Sequence, residues 1–583
     1  MRNPHDCSVT NASDRDAMRH QARCHLAARE FVAARRMAVR VLAYDPEDRE
    51  SLSILGEAHM KAGKPVQAYA PLKRRLRLKD DFPIRLLFIA CLELLKRGEE
   101  ATAERQRALE TLPSAGHAHF LLGMLFESAG DQHQAERLYR GSLEIAPSVA
   151  AVQHRLGCLL VVQGHLASGI DYLRQAIEND PTRALYLVDL SSALAGLGDF
   201  DAARGAAEKA LAMGPETHAA LHNLGHAMLN LDRAADAIGI FDQALRHDAE
   251  HPATRFSRAT AFLKAGRYEE GWREYEWRWR DCQRPRNDIN APIWSGEDLS
   301  GRRILLHAEQ GYGDTLQFVR LASTVAALGA EVTLQVPQPL VRLLSDVVGV
   351  THVVSALTPW MTFDFHCPLA SLPLRVGLTV ASVPDASYLS VPLTERVRQG
   401  NAVRNHMAGN AAWPDLIVGL VWAGDPRPGQ ARAHIIDRRR SVDLARLAPL
   451  FTVPGVRFAG FQLGAAREQI ETSGLPVVDV TDGILDFADT AARLSGIDLL
   501  IAVDTSIVHL AGGLGMPVWM ISRFDNCWRW MENRSDTPWY PGMRILRQSQ
   551  PGDWDSVIEE ARELLTQFSQ IYHASAPAKS RVA

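Results

Sequence analysis

The chain has 583 residues, 46% of them hydrophobic and 23% charged, with a formal net charge of −4; that length holds roughly three or four domain-sized units, and the charge balance lacks the basic field of a nucleic-acid binder. Seven cysteines, none in a CxxC pair, indicate neither a zinc ribbon nor a disulfide framework. Residues 1–20 lack the apolar stretch of a secretory signal, and the longest apolar stretch, around residue 505, is broken by Asp498, Asp504 and His509, so a cytoplasmic protein without a membrane span is expected.

In chain order, the first feature is a repeat. Small residues recur every 34 positions at Gly123, Gly157, Ser191, Gly225 and Ala259, with a second column at Ala135, Gly169, Ala203, Ala237 and Gly271. A third column, mostly larger, runs Tyr139, Leu173, Ala207, Phe241 and Tyr275, and Pro113, Pro147, Pro181 and Pro215 close the units. A period of this length marks stacked helix pairs, none of which buries its apolar face alone. The columns resemble the tetratricopeptide repeat, with small residues where two helices touch, a bulky residue behind them and proline ending the second helix. About eight units are expected over residues 15–285, stacked as a right-handed all-α solenoid. Its groove suits a partner protein; a spacer or an oligomer contact is the alternative. The aromatic stripe Trp272, Tyr275, Trp277 and Trp279 is expected to pack the end of the array against the next domain.

Residues 281–300 carry Pro285, Pro292, Asn287 and Asn290 with little periodicity, and a linker is expected at 286–301. Beyond it strands alternate with helices. Strands are expected at 303–307, 331–336 and 352–355, then at 416–422, 456–461, 477–480, 499–503 and 518–521, with helices at 314–327, 338–347 and 552–568. Such βαβ alternation gives parallel sheets with right-handed crossovers. Two doubly wound Rossmann-like halves are expected, residues 302–410 and 411–570, followed by a disordered tail at 571–583.

Three stretches at strand ends are chemically suggestive, because ligands of parallel sheets sit at the carboxyl ends of strands. Glu309-Gln310-Gly311-Tyr312-Gly313-Asp314-Thr315 has two glycines that allow a tight turn and a close approach to a ligand, but it is not a dinucleotide fingerprint. Asp314 also suits a plain helix cap. Trp422-Ala423-Gly424-Asp425-Pro426 precedes Arg438, Arg439 and Arg440, which suit a diphosphate as well as a solvated surface. Asp504-Thr505-Ser506 opens a helix that carries His509, and a helix start is an anion site; His509 also suits a satisfied core position. No lysine occurs between Lys264 and Lys579, so an anion there must be held by arginine or by backbone amides.

Residues 302–562 resemble the lipopolysaccharide heptosyltransferase-type glycosyltransferases, fused here to repeats in an arrangement similar to O-linked N-acetylglucosamine transferases. The matching pieces are Gly311-Tyr312-Gly313-Asp314, Val421-Trp422-Ala423-Gly424, Asp504 to Leu510, Trp528-Arg529-Trp530 and Pro538-Trp539-Tyr540-Pro541. The resemblance implies a GT-B fold with a nucleotide-sugar donor on the C-terminal half, transfer with inversion to a protein or glycan acceptor, and no metal or other cofactor. It implies Asp314 as the base. With the strand-end stretches, the donor-binding set is Gly311, Gly313, Trp422, Gly424, Arg438, Arg439, Arg440, Asp504, Thr505, Ser506 and His509. The family's phosphate-binding lysine is missing, so an arginine of 438–440 would replace it. The alternative is a repeat scaffold with an inactive second half.

Overall fold

A computed structural model describes residues 12–214, 217–281, 289–385, 387–408, 416–427 and 430–575. The chain divides into two compact units, one running to Tyr186 and the other starting at Leu187, so the division falls inside the repeat array. Among the described residues the first unit holds five helix pairs, from Ala12–Ala27 with Phe31–Tyr44 to Ala150–Val162 with Leu166–Asn179. The 34-residue columns are their contact points. A side chain at Gly123 would meet the Tyr139 ring at 2.7 Å, and one at Gly157 would meet Leu173 at 2.9 Å. Glycine is used here for clearance between packed helices, since close-packed interiors leave no spare volume.

The helix Ala184–Leu197 carries the division and pairs with Phe200–Ala212. The second unit continues with His218–Asn230 and Ala234–His247, Pro252–Lys264 and Tyr268–Tyr275, and the short helix Arg278–Asp281. Gly225 repeats the pattern, its missing side chain making room for Phe241 at 2.6 Å. Pro215 lies outside the described residues. The expected aromatic stripe does close the array: Trp272 is 2% exposed and meets Phe318, Trp528 and Trp539 edge-on, with centroids 5.3–6.5 Å away.

Two all-parallel sheets follow. The first has the order β3-β2-β1-β4, from β1 (Arg303–His307), β2 (Glu331–Gln335), β3 (Val350–Val354) and β4 (Phe365–Pro368). The second has the order β10-β9-β8-β5-β6-β7, from β5 (Leu416–Val421), β6 (Val456–Gly460), β7 (Val477–Asp479), β8 (Leu499–Val503), β9 (Val518–Ser522) and β10 (Met543–Arg547). The chain departs from central β5 to β6 on one side and returns through β8 on the other, so the carboxyl ends of β5 and β8 flank the switch point where such sheets take ligands. Every residue of β5 and β8 is buried, as befits parallel strands covered on both faces.

Three expected boundaries shift. The expected linker is part of the first half: Trp294 is 2% exposed, its N–H donates to the His366 carbonyl at 2.8 Å, and Ile293 bridges to the β4 residue His366; residues 286–288 lie outside the described residues. The helix Leu393–Ala408, expected in the first half, packs on the second. A side chain at Gly496 would strike the Gly400 carbonyl at 2.6 Å, and Arg404 pairs with Asp498 at 2.6 Å. The closing helix runs Trp554–Ser575, so 571–575 are helical rather than tail, and 576–583 lie outside the described residues. Among the described residues no helix is long and apolar enough to cross a membrane.

Candidate functional site

The two halves meet along a cavity of about 780 Å³ that opens between the Gly311 loop and the carboxyl ends of β5, β6, β8 and β9. Gly311 precedes the helix Tyr312–Phe318, and the Asp314 carboxylate reaches back to accept the Gly311 N–H through Oδ2 at 2.9 Å. Asp314 therefore caps its helix from inside the first turn. Its Oδ1 accepts from Arg529 Nη2, and the Arg529 Nε donates to Gln317 Oε1 at 2.5 Å. Arg529 also lies over the Trp528 ring, 4.4 Å from its centroid. The Asp314 side chain keeps 24% of its surface exposed, toward the cavity it lines.

The glycines beside Asp314 do a different job from the tight turn expected of them. Gly311 has φ −70° and ψ 173°, extended backbone that any residue adopts, and Gly313 lies within the helix. What Gly313 supplies is proximity: a side chain there would meet His509 Cδ2 at 2.7 Å and Nε2 at 3.3 Å. This contact sets the Asp314 helix against the helix Ser506–Gly513, which starts at the end of β8.

His509 is 5% exposed, hydrogen-bonds Tyr540 Oη through Nδ1 at 2.8 Å and stacks on Trp530 at 5.4 Å. Burial first, then Arg529 and Arg320, hold it well below the usual histidine range, so it stays neutral. His509 is thus a packing residue between the halves rather than a charged ligand group. The Asp504 carboxylate is occupied by Trp530 Nε1 at 2.9 Å. Thr505, at the helix N-cap, has a buried Oγ1 without a hydrogen-bond partner, and with Ser506 it borders the cavity.

The three consecutive arginines do not act together. Residues 431–440 form a helix, and neighbours on a helix point about 100° apart. Arg438 is exposed. Arg439 turns to the repeat array, donating to the carbonyls of Ala195 at 2.9 Å and Gly196 at 3.2 Å and pairing with Asp525 at 3.1 Å. Arg440 alone reaches this cavity, steadied by Asp437 at 2.8 Å and the Asp504 carbonyl at 3.3 Å. A side chain at Gly424 would collide with the carboxylate of Asp437 and the guanidinium of Arg440. Trp422 is fully buried in the core beneath β5 and offers nothing to the cavity.

Three cavity arginines, Arg427, Arg523 and Arg529, were missed as site residues in the sequence. Arg523 follows β9, a strand-end position that topology alone would have flagged. Arg529 stands between two tryptophans in a lysine-free half, and its grip on Asp314 required the fold.

Further bonds join the halves near the site. Arg320, 2% exposed, donates to the Trp539 carbonyl at 2.7 Å. Arg342 bridges Asp486 at 2.6 Å and Asp489 at 2.5 Å. Two histidines give this unit a pH dependence, His307 buried and His218 half-buried. His307 is pulled down to about 4, by burial and then by His366, and His218 is lowered by burial and then by His251. An unfolded chain takes up these protons near pH 6.5, whereas the folded one refuses them. Their stabilising contribution is therefore whole above about pH 6.5 and falls as the pH drops toward 4, by roughly 3 kcal/mol for His307 alone. Calorimetry is expected to show a Tm that is level from pH 7.5 to about 6.5 and falls from there toward pH 5; a flat profile throughout would contradict it.

Fold and site define a protein with an N-terminal tetratricopeptide-repeat solenoid followed by a C-terminal region of two parallel sheets. The tetratricopeptide-repeat family matches residues 116–149 and, in overlapping stretches, 154–218, 188–249 and 222–276. The chain is similar to protein FlbA of Caulobacter vibrioides, 26% identical over 508 residues, covering 81% of this chain and 83% of the relative. Among solved structures, a tetratricopeptide-repeat protein from Parabacteroides merdae is 15% identical with a TM-score of 0.35, covering 42% of this chain and 98% of its own. YrrB, described as a TPR protein with an unusual peptide-binding site, is 17% identical with a TM-score of 0.28, covering 32% and 96%.

Proposed function

We propose that the protein is an inverting glycosyltransferase that moves a sugar from a nucleotide-sugar donor to a protein or glycan acceptor brought by the repeat array. One observation carries this reading: the Asp314 carboxylate of the first half and the helix start at Thr505 of the second border one cavity. A nucleoside diphosphate is a good leaving group, so transfer needs positive charge at the departing phosphate and one carboxylate at the acceptor hydroxyl. Arg440 and the free amides at the Ser506 end of the helix supply the first, as a metal ion does elsewhere, and Asp314 supplies the second. Inversion follows if Asp314 takes the acceptor proton while the acceptor oxygen attacks the anomeric carbon opposite the departing diphosphate.

The engagement of both Asp314 oxygens, by Gly311 and Arg529, favours a second reading, a repeat scaffold whose cavity binds a nucleotide without turnover. Incubation with UDP-, GDP- and ADP-sugars, following nucleotide release, separates the two. Release by the natural protein supports the enzyme; binding without release across the panel supports the scaffold. The helical fan of arginines adds a sharper expectation. Arg440→Gln should raise the donor KM about tenfold, the loss of one charge-assisted contact, whereas Arg438→Gln should leave it within about twofold. Equal effects would mean that the arginines share the phosphate after all.

A further inference from the structure

The loop that leads to Asp314 is held from the repeat array. Arg278, in the last short helix of the array, is 2% exposed. Its Nε donates to Glu309 Oε1 at 2.7 Å, and its Nη2 donates to Glu309 Oε2 at 3.1 Å and Ser371 Oγ at 2.7 Å. Its Nη1 reaches the Tyr275 carbonyl at 3.2 Å and Glu276 at 2.5 Å. Glu309 itself is 6% exposed, and the neighbouring Gln310 amide meets Tyr275 Oη at 3.4 Å. Gly311 comes next, with its N–H held by Asp314.

We propose that Arg278 is a positioning residue, by which the end of the repeat array fixes the 309–314 loop and so aims Asp314 into the cavity; its catalytic consequence rests on the glycosyltransferase reading. Arg278 makes these five hydrogen bonds from a planar fork, more than the three donors of an ammonium can supply, so lysine is not an equivalent. A buried ion pair adds little stability over packed apolar side chains, so its placement at this seam is explained by orientation. The array then does more than collect partners: its final turn is a structural part of the site.

Hydrogen–deuterium exchange and donor kinetics on Arg278→Lys and Glu309→Gln test this. Glu309→Gln keeps shape and leaves Arg278 paired with Glu276, so it guards against simple unfolding of the other variant. The amides of residues 311–315 are expected to exchange about tenfold faster while those of β8 stay unchanged, as for a local opening. In the same variants kcat should fall about tenfold with the donor KM within about twofold, the signature of a misplaced group. Unchanged exchange at 311–315 in both variants overturns the proposal, whether or not the protein turns over. Acceleration throughout the second unit also overturns it, because Arg278 would then be a stability element alone. If the natural protein releases no nucleotide from any donor, the glycosyltransferase reading falls while the exchange result still decides the positioning role.

Discussion

Asparagine at position 314 is expected to lower kcat for nucleotide release by about 10²–10⁴-fold, the range that a positioned acid–base group supplies. The substitution is nearly isosteric, and its amide oxygen can still accept the Gly311 N–H that Oδ2 accepts at 2.9 Å. The helix Tyr312–Phe318 should therefore keep its cap. What is lost is the negative charge, and with it the ability to take a proton from an acceptor hydroxyl. Arg529 loses a partner in the same step but keeps Gln317 and the Cys527 sulfur, 3.0 Å from its Nη1. The stability cost should stay near 1–3 kcal/mol, that of disturbing one buried charged hydrogen bond. Kinetics and thermal unfolding together make the result interpretable: a variant that folds, binds donor and does not turn over marks Asp314 as the base. A variant that retains more than about a tenth of the activity would remove Asp314 from the chemistry.

Much of the architecture is legible because it is written at a fixed period. The columns at Gly123, Gly157 and Gly225 mark the points where helices touch, so their spacing encodes a contact directly. Strands buried on both faces were equally visible: Leu499–Val503 and Leu416–Val421 are unbroken apolar runs. β4 was hidden because Phe365-His366-Cys367-Pro368 is short and ends in proline, and β10 because Arg544 and Arg547 interrupt its apolar run. The site was legible only in part. Gly311, Gly313, Gly424, Arg440, Asp504, Thr505, Ser506 and His509 border one cavity with Asp314. The reading of 438–440 as one cluster failed because adjacency in sequence is divergence on a helix. Trp422 misled in the opposite way: it follows a buried strand, and its ring continues that strand's core face. The pairing of Asp314 with Arg529 spans 215 positions and leaves no local trace.

Alanine at Gly313 is the smallest change expected to have a large effect, because it acts where the halves touch. The added methyl would lie 2.7 Å from His509 Cδ2, inside van der Waals contact, so one side must move. His509 has little room to yield. Tyr540 holds its Nδ1, Trp530 covers its face, and Tyr540 is itself 1% exposed. The helix of Asp314 must then back away from the helix Ser506–Gly513, at an overpacking cost of about 1–3 kcal/mol. A retreat of even about 1 Å separates Asp314 from the Thr505 turn and, on the glycosyltransferase reading, should lower turnover on the order of 10²-fold. A compensating variant distinguishes geometry from general damage. His509→Ala added to Gly313→Ala empties the space the methyl needs, so the double variant should recover part of the activity that Gly313→Ala loses. It should be no more stable than His509→Ala alone, since the stacked ring is gone. If Gly313→Ala retains both Tm and turnover, the halves are not held in register at this point, and the pairing of Asp314 with the Thr505 turn is not what organises the site.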